Sequence, residues 1–369
     1  MSTVLEGVRI LELGGIGPGP HGAMILADLG ADVVRVERPT GTTEMLPPEQ
    51  DFVLRNRRSV AADLKDPAQR DWVLQLVDHA DVLLEGYRPG VAERLSIGPD
   101  VCRERNPRLI YGRMTGWGNE GPLAQAGGHD INYLSLTGAL DMLGRKGSPP
   151  LAPLNLVGDY GGGSMFMVLG IVAALYERER SGQGQVVEVA MIDGISTLMA
   201  MYWTLTEHRV WSSERGVNLT DGGSPFYDTY ACADGRYMAV GAIEPQFYDR
   251  LLQGLGLDRD ELPPQLDQAS WPSVKERFAE IFATRTRDEW TAIFSQIDAC
   301  VTPVLALGEV AQHQQIRARG TVQRRHGQLQ PMPAPRFSRS EPAEIAAPPM
   351  PGSQNDAVYA DWVRSTETA

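Results

Sequence analysis

Short apolar runs alternate with amphipathic stretches through the first third of the chain. "VRILELGG" (8–15), "DVVRVE" (32–37), "DVLLEG" (81–86) and "RLIYGRMTG" (108–116) are rich in Val, Ile and Leu, the pattern of strands buried on both faces. Between them, "PHGAMILADLGA" (20–31) and "AQRDWVLQLVDHA" (68–80) place apolar residues at helical spacing, and "RPGVAERLSIGPDVCRERNP" (88–107) reads as helix and turn. Strands that alternate with helices predict an α/β fold with a doubly wound, Rossmann-like parallel sheet.

The pattern changes after Asp159. "SMFMVLGIVAALYERERSGQG" (164–184) predicts a long helix ended at Ser181-Gly182, and "QVVEVAMID" (185–193) a returning strand. Residues 194–225 read as a long connection. "FYDTYACADGRYMAVGA" (226–242) predicts two strands joined at Asp234-Gly235. Helical patterns follow in 245–256, 270–283 and 286–297, the last opened by a Thr286/Glu289 capping box. The expected organisation is a large domain at 1–193, completed by about 330–369, with 194–225 as linker. A smaller α/β domain is expected at 226–310, with 311–330 returning to the first. The proline-rich tail from about 331 to 351 is expected to wrap the surface, with a short helix at 355–364.

With 369 residues and 42% apolar content, two domains are the default for a globular protein. A net charge of −13 excludes non-specific nucleic-acid binding, which needs a basic face. The longest apolar run, Met165 to Leu175, is shorter than a membrane span, so none is expected. Cys102, Cys232 and Cys300 are odd in number and widely spaced. They suit a reducing, cytoplasmic compartment and form no zinc pattern, and no His cluster suggests another metal site. The first ten residues show no secretory leader. One region departs from the acidic balance: Arg35, Arg38, Arg55, Arg57, Arg58, Lys65 and Arg88 gather within about fifty residues. Such a cluster is either a solvated surface or a phosphate site.

Gly17-Pro-Gly-Pro-His-Gly22 matches the dinucleotide fingerprint G-x-G-x-x-G between a strand and a helix, with Glu37 at the end of the next strand. That would suggest an NAD-dependent oxidoreductase. Pro18 and Pro20, however, remove backbone N–H groups from the loop that should cradle a pyrophosphate, and Glu37 is followed at once by Arg38. The favoured reading is a tight turn that starts its helix near Pro20.

"GGHDINYLSL" (127–136) sets a histidine beside an aspartate behind two glycines. Taken alone, His129 is either a capped loop residue or a group that takes and gives protons near neutrality. Asp159 precedes Gly161-Gly162-Gly163 and opens the long helix. It is either an N-cap or a functional carboxylate at a glycine-lined helix start that a ligand can approach closely. Glu244, before the helical Pro245, has the same two readings.

"LELGGIGPGPHGAMILADLGADVVRVERP", "ADLK", "DVLLEGYRPGVAERL", "NPRLIYGRMTGWG", "GHDINYLSL", "NLVGDYGGGSM", "GQGQVVEVAMIDG", "DGRYMAVGAIEPQFY" and "DACVTPVL" together resemble the family III CoA-transferases. More narrowly, they resemble its α-methylacyl-CoA racemase branch. The resemblance spans nearly the whole chain apart from the proline-rich tail. It implies a large Rossmann-like domain and a smaller α/β domain in an interlocked homodimer. It implies a CoA site at Arg38, at Ala62, Asp63, Leu64 and Lys65, near Arg88, and at Gly128, Ile131, Asn132 and Tyr133. Arg57 and Arg58 are expected to assist, whereas Arg35 is read as surface. The nucleotide is then expected against the ends of the second to fourth strands rather than in the glycine turn.

The resemblance also implies His129 and Asp159 as two proton carriers on opposite faces of a carbon α to a thioester. Glu244 would orient the histidine, and Asp130 would contact Asp159 or its water. No cofactor is implied beyond CoA itself, which is part of the substrate. The implied activity is epimerisation of 2-methylacyl-CoA. The alternative is CoA transfer through an aspartyl anhydride at Asp159, which has no need of a second proton shuttle in "GHDINY". An acyl-CoA-binding protein with a vestigial site is a further alternative, against which the intact His129, Asp159 and Glu244 set argues.

Overall fold

The computed structural model describes residues 2–39 and 46–364. The chain divides into two compact units: residues 1–137, 154–199 and 319–369 form the first, and residues 138–153 and 200–318 the second. The second unit therefore takes in residues 138–153, which the sequence pattern left in the large domain. It also takes in residues 200–225, which read as linker. Its helix Ala200–Glu207 has no buried residue of its own, so no core-facing stripe announced it.

The first unit is built on six parallel strands: β1 (Arg9–Leu13), β2 (Asp32–Glu37), β3 (Arg57–Ala61), β4 (Val82–Glu85), β5 (Ile110–Thr115) and β6 (Val186–Ala190). Their order is β3-β2-β1-β4-β5-β6, a doubly wound sheet whose direction of winding reverses between β1 and β4. Ile10 pairs with Val33 on one side and Val82 on the other. Helices on both faces explain why the central strands are apolar throughout. Val34, Leu76, Leu83 and Tyr111 are wholly buried in one continuous core.

β3 is the strand that hydrophobic patterning missed, because two arginines open it. Arg57 is buried nonetheless: its Nε lies 2.6 Å from Glu12 Oε2, while Arg35 Nη1 lies 2.5 Å from Glu12 Oε1. Three adjacent strands thus share one internal ion triad. Burial pushes the Glu12 carboxyl up, but the Arg57 and Arg35 guanidiniums outweigh it and hold the group below its ordinary value.

β3 is also an edge strand, and the C-terminal segment covers it. Ser59 N–H donates to Gln354 Oε1 (2.8 Å), Ala61 N–H donates to Asn355 Oδ1 (3.0 Å), and Asn355 Nδ2 donates back to the Ala61 carbonyl (3.1 Å). Side-chain amides thereby occupy an edge that would otherwise invite pairing. Trp362, fully buried, donates its indole N–H to Asp32 Oδ2 at 2.8 Å.

A π-helical stretch, Leu156–Ser164, runs directly into the α-helix Met165–Ser181. The whole helix, Leu156–Ser181, is long and apolar enough by composition to cross a membrane, longer than the apolar run in the sequence suggested. It packs instead on β5, β6 and the helix Pro18–Asp28.

In the second unit, β7 (Tyr227–Ala231), β8 (Tyr237–Gly241) and β9 (Val301–Pro303) form an antiparallel sheet in the order β7-β8-β9. Helices Pro245–Leu255, Trp271–Phe282 and Arg287–Phe294 bury Leu251, Phe278, Phe282 and Trp290 in a core of their own. The capping box forms, with Thr286 N–H donating to Glu289 Oε2 at 2.8 Å. β9 is too short to show a period. The expected return linker contains a hairpin of two strands, Val322–Arg325 and Gln328–Pro331.

Candidate active site

The helix Asp130–Leu136 starts directly after His129. The Asn132 carboxamide oxygen accepts the His129 backbone N–H at 3.0 Å, and the His129 carbonyl accepts from Asn132 N at 2.8 Å. His129 and Ile131 are exposed, whereas Asp130 and Tyr133, three residues apart, face inward and are buried. The Tyr133 hydroxyl donates to the Gly128 carbonyl at 2.6 Å, and its ring meets Trp117 edge-on with centroids 4.7 Å apart. A Cβ at Gly128 would come within 2.8 Å of the Tyr133 ring, so glycine is needed here for the aromatic pair to close over the backbone. Tyr133 thus acts within this segment as a clamp on the peptide ahead of His129.

Asp130 turns away from its neighbour and reaches the π-helical stretch. Its Oδ2 accepts the backbone N–H of Asp159 at 2.7 Å, and a Cβ at Gly158 would sit only 2.5 Å from that oxygen. One bond therefore brings the His129 segment and Asp159 to the same place in the fold. Burial raises the proton affinity of the Asp159 carboxyl above the ordinary carboxylate range, and the Asp130 charge raises it further. A hydrogen bond from the Asn155 side chain and the proximity of His129 pull the other way without cancelling the shift. Asn155 escaped the sequence reading, although its place one turn before Asp159 was the available signal.

Gly162 and Gly163, in the run after Asp159, serve close packing. A Cβ at Gly162 would meet Ile195 at 2.8 Å and the Met191 carbonyl at 3.0 Å, and one at Gly163 would meet Met191 and Pro18 at 3.0 Å. Gly162 and Gly163 are buried between elements. Asp159 itself lies inside the first helical turn, with Asn155 at the N-cap position. The sequence reading placed the helix start later because the glycines looked like a loop.

A cleft of about 740 Å³ opens at the carboxyl ends of β1 to β4, where ligands bind in open α/β sheets. Gly14 to Ile16, Arg38, Ala62 to Lys65, Gly86 and Tyr87 line it. Arg38, Asp63 and Lys65 are exposed, Leu64 is half-buried and Ala62 is buried. The Asp63 carboxylate accepts Lys65 N–H at 3.0 Å and shapes the turn. Counted with β3, the cleft includes strand ends that the sequence could not number. Arg88 is exposed, and its guanidinium stands 3.2 Å from where a Gly127 Cβ would be.

The rest of the basic cluster is structural. Arg35, read as surface, is buried against Glu12 and Glu37 and donates to the Gly15 carbonyl at 3.0 Å. Arg57, expected to assist the ligand, is committed to Glu12 and to the carbonyls of Val53 and Pro20. Arg55 grips Asp28 with two bonds, and Arg58 pairs with Asp32 and Asp361. Each buried cation answers a buried acid distant in sequence, and local charge counting cannot see that.

Glu244 belongs to the second unit. It is exposed at the N-cap of helix Pro245–Leu255, where its carbonyl accepts from Phe247 N and Tyr248 N, both at 3.0 Å. Its carboxylate makes no capping bond, so the capping reading of this acid does not hold. Among the described residues, no three His, Cys, Asp or Glu side chains form a group able to hold a metal ion.

The profile of CoA-transferase family III matches residues 5–356. The chain is 47% identical over 354 residues to the mouse (Mus musculus) alpha-methylacyl-CoA racemase, covering 96% of this chain and 90% of the relative. It is 46% identical over 332 residues to the human (Homo sapiens) alpha-methylacyl-CoA racemase, covering 90% and 86%. Among solved structures it is similar to a CAIB/BAIF family protein from Brucella suis, with TM-score 0.86, 26% identity and coverage of 98% of this chain and 100% of the other.

Proposed function

The chain belongs to CoA-transferase family III, and from that premise we propose that it inverts the α-carbon of 2-methyl-branched acyl-CoA thioesters. One base removes the α-proton from one face, and the C–H bonding pair moves into a planar enolate. An acid on the opposite face then delivers a proton to the carbon, giving the other epimer. Two groups are required, one deprotonated and one protonated, and they exchange states with each turnover. His129 and Asp159 take these roles. The observation that carries the reading is the bond from Asp159 N–H to Asp130, which seats an aspartate of raised proton affinity beside the segment that begins with His129. A carboxyl tuned upward suits a group that must both hold and release a proton near neutrality. The N-terminal end of the helix behind Asp159 favours negative charge on the enolate oxygen. The names of the mammalian relatives support the same activity.

Asp130 positions Asp159 through the bond to its backbone N–H. Arg38 and Lys65, with Arg88, hold the phosphates of CoA, which guanidinium and ammonium groups recognise by charge-assisted hydrogen bonds. Ala62, Asp63, Leu64, Gly128, Ile131, Asn132 and Tyr133 complete the CoA contacts. The reaction needs no cofactor beyond the CoA that the substrate carries. A transferase would instead use Asp159 as a nucleophile and would have no need of a second proton carrier at His129.

The protein works as a homodimer of interlocked chains. Met165, Leu169, Val172 and Tyr176 form an apolar stripe on one helix face that the single chain leaves exposed, Tyr176 by 70%, and a second copy would cover it. Three free cysteines agree with a cytoplasmic setting. The test is to incubate the protein with one epimer of a 2-methylacyl-CoA and follow the other. Its appearance, up to an equilibrium mixture, is expected, whereas CoA passing to an added carboxylic acid without inversion would overturn the proposal.

A further inference from the structure

The Gly17–Gly22 turn, which resembles a dinucleotide loop, lies against the π-helical stretch at Gly17, Pro18, His21 and Gly22. Gly17 has φ 73°, and a Cβ on it would stand 3.4 Å from Asp159 Oδ2. Pro18 packs where a Gly163 Cβ would be, and a Cβ on Gly22 would lie 3.5 Å from the Ser164 carbonyl and hydroxyl oxygens. His21 makes the two most specific contacts. Its ring stacks on Tyr160, with centroids 4.0 Å apart and planes 15° apart. Its Nδ1 shares a hydrogen bond of 2.6 Å with the Ser164 hydroxyl. Tyr160 directly follows Asp159, and Ser164 is the last residue of the π stretch.

We infer that this turn is the seat of Asp159, and that His21 is a positioning residue that holds the π-helical geometry through Tyr160 and Ser164. The inference rests on the proton-transfer role proposed for Asp159 above. Its physical basis is the instability of a π turn, which carries one residue more than an α turn and persists only where its surroundings impose it. Relaxation to α-helical winding would rotate the residues before it by about 100° around the axis and turn the Asp159 carboxylate away from the carbon it serves. A flat ring against Tyr160 and a bond to Ser164 pin the middle and the last residue of the segment. Burial lowers the proton affinity of the His21 ring, and the charges of Arg55 and Arg57 lower it further against Asp28. The motif that looked like a cofactor loop thus has a use within the reaction.

The two faces of the reaction allow a clean test. In a His129→Ala background, α-hydrogen exchange in D₂O runs through Asp159 alone, and in an Asp159→Asn background it runs through His129 alone. Ser164→Ala and His21→Phe each remove the hydrogen bond, and the second keeps a ring for the stack. Each should slow Asp159-dependent exchange about tenfold or more and leave His129-dependent exchange within about twofold, with KM little changed. Ser164→Ala deletes one buried hydroxyl and keeps the test open should His21→Phe fold poorly. Equal slowing on both faces would show general damage and overturn the inference, as would no change on either. An unmodified protein that exchanges no α-hydrogen would remove the proton-transfer reading itself, a result distinct from normal exchange that ignores His21 and Ser164.

Discussion

The Asp130 carboxylate holds the backbone N–H of Asp159 at 2.7 Å, so two acids from distant parts of the chain stand side by side. Burial raises the proton affinity of Asp159, and the Asp130 charge adds to it. Asp130→Asn keeps an oxygen to accept the bond and removes the charge. Since Asp159 is reactive as a base only when ionised, the acid limb of kcat/KM for the epimer it deprotonates should move to lower pH. A pH–rate profile checks this, and an unmoved limb would contradict the electrostatic coupling.

A raised carboxyl also carries a stability cost whose sign is fixed. The folded state binds the Asp159 proton more tightly than the unfolded chain, whose value is near 3.8. Stability therefore falls as pH rises from that value through the folded one, and the loss is complete above both. Asp159→Asn, inactive for epimerisation, should be more stable than the unmodified protein at pH 7. The gain should vanish below pH ~3.8. Urea unfolding at the two pH values, at fixed protein concentration, measures it.

The basic cluster should divide into two classes of variant. Arg38→Ala and Lys65→Ala, at the cleft, should raise KM for the thioester about tenfold at low salt, with kcat little changed and a smaller effect in high salt. Arg57→Ala leaves Glu12 in the core with Arg35 as its remaining cation and should cost about 3–5 kcal/mol of stability instead. Steady-state kinetics beside thermal unfolding separates the classes. NADH should not bind at micromolar levels; saturable NADH binding that CoA leaves unaffected would contradict the assignment of the cleft.

Patterning made the sheet readable because buried parallel strands are rich in Val, Ile and Leu, as in β1, β2 and β4. It failed at β3, since Arg57 and Arg58 look solvated until Glu12 and Asp32 are seen opposite them. The same blindness hid the burial of Arg35. His129 and Asp159 were visible as residue types, but the link between them runs through Asp130 across two elements, and no spacing rule encodes it. The packing role of Gly162 and Gly163 is hidden for a related reason. Their smallness serves Met191, Ile195 and Pro18, which are neighbours only in the folded chain.

The exposed stripe at Met165, Leu169, Val172 and Tyr176 predicts that dilution will not yield working single chains. Interlocked chains must partly unfold to separate, so sedimentation at nanomolar concentration should still show a dimer. Tyr176→Glu should weaken assembly and activity together. A folded, active monomer would contradict the proposed assembly.

The central claim is that His129 and Asp159 each serve one face of the α-carbon. The most direct measurement is α-deuterium uptake in D₂O from each pure epimer with His129→Ala and with Asp159→Asn. Each variant should lose net epimerisation by about a hundredfold or more. Each should still exchange the α-hydrogen of one epimer with retained configuration, and the two variants should choose opposite epimers. Loss of exchange from both epimers in one variant and little loss in the other would instead show a single base, and the two-base account would fall.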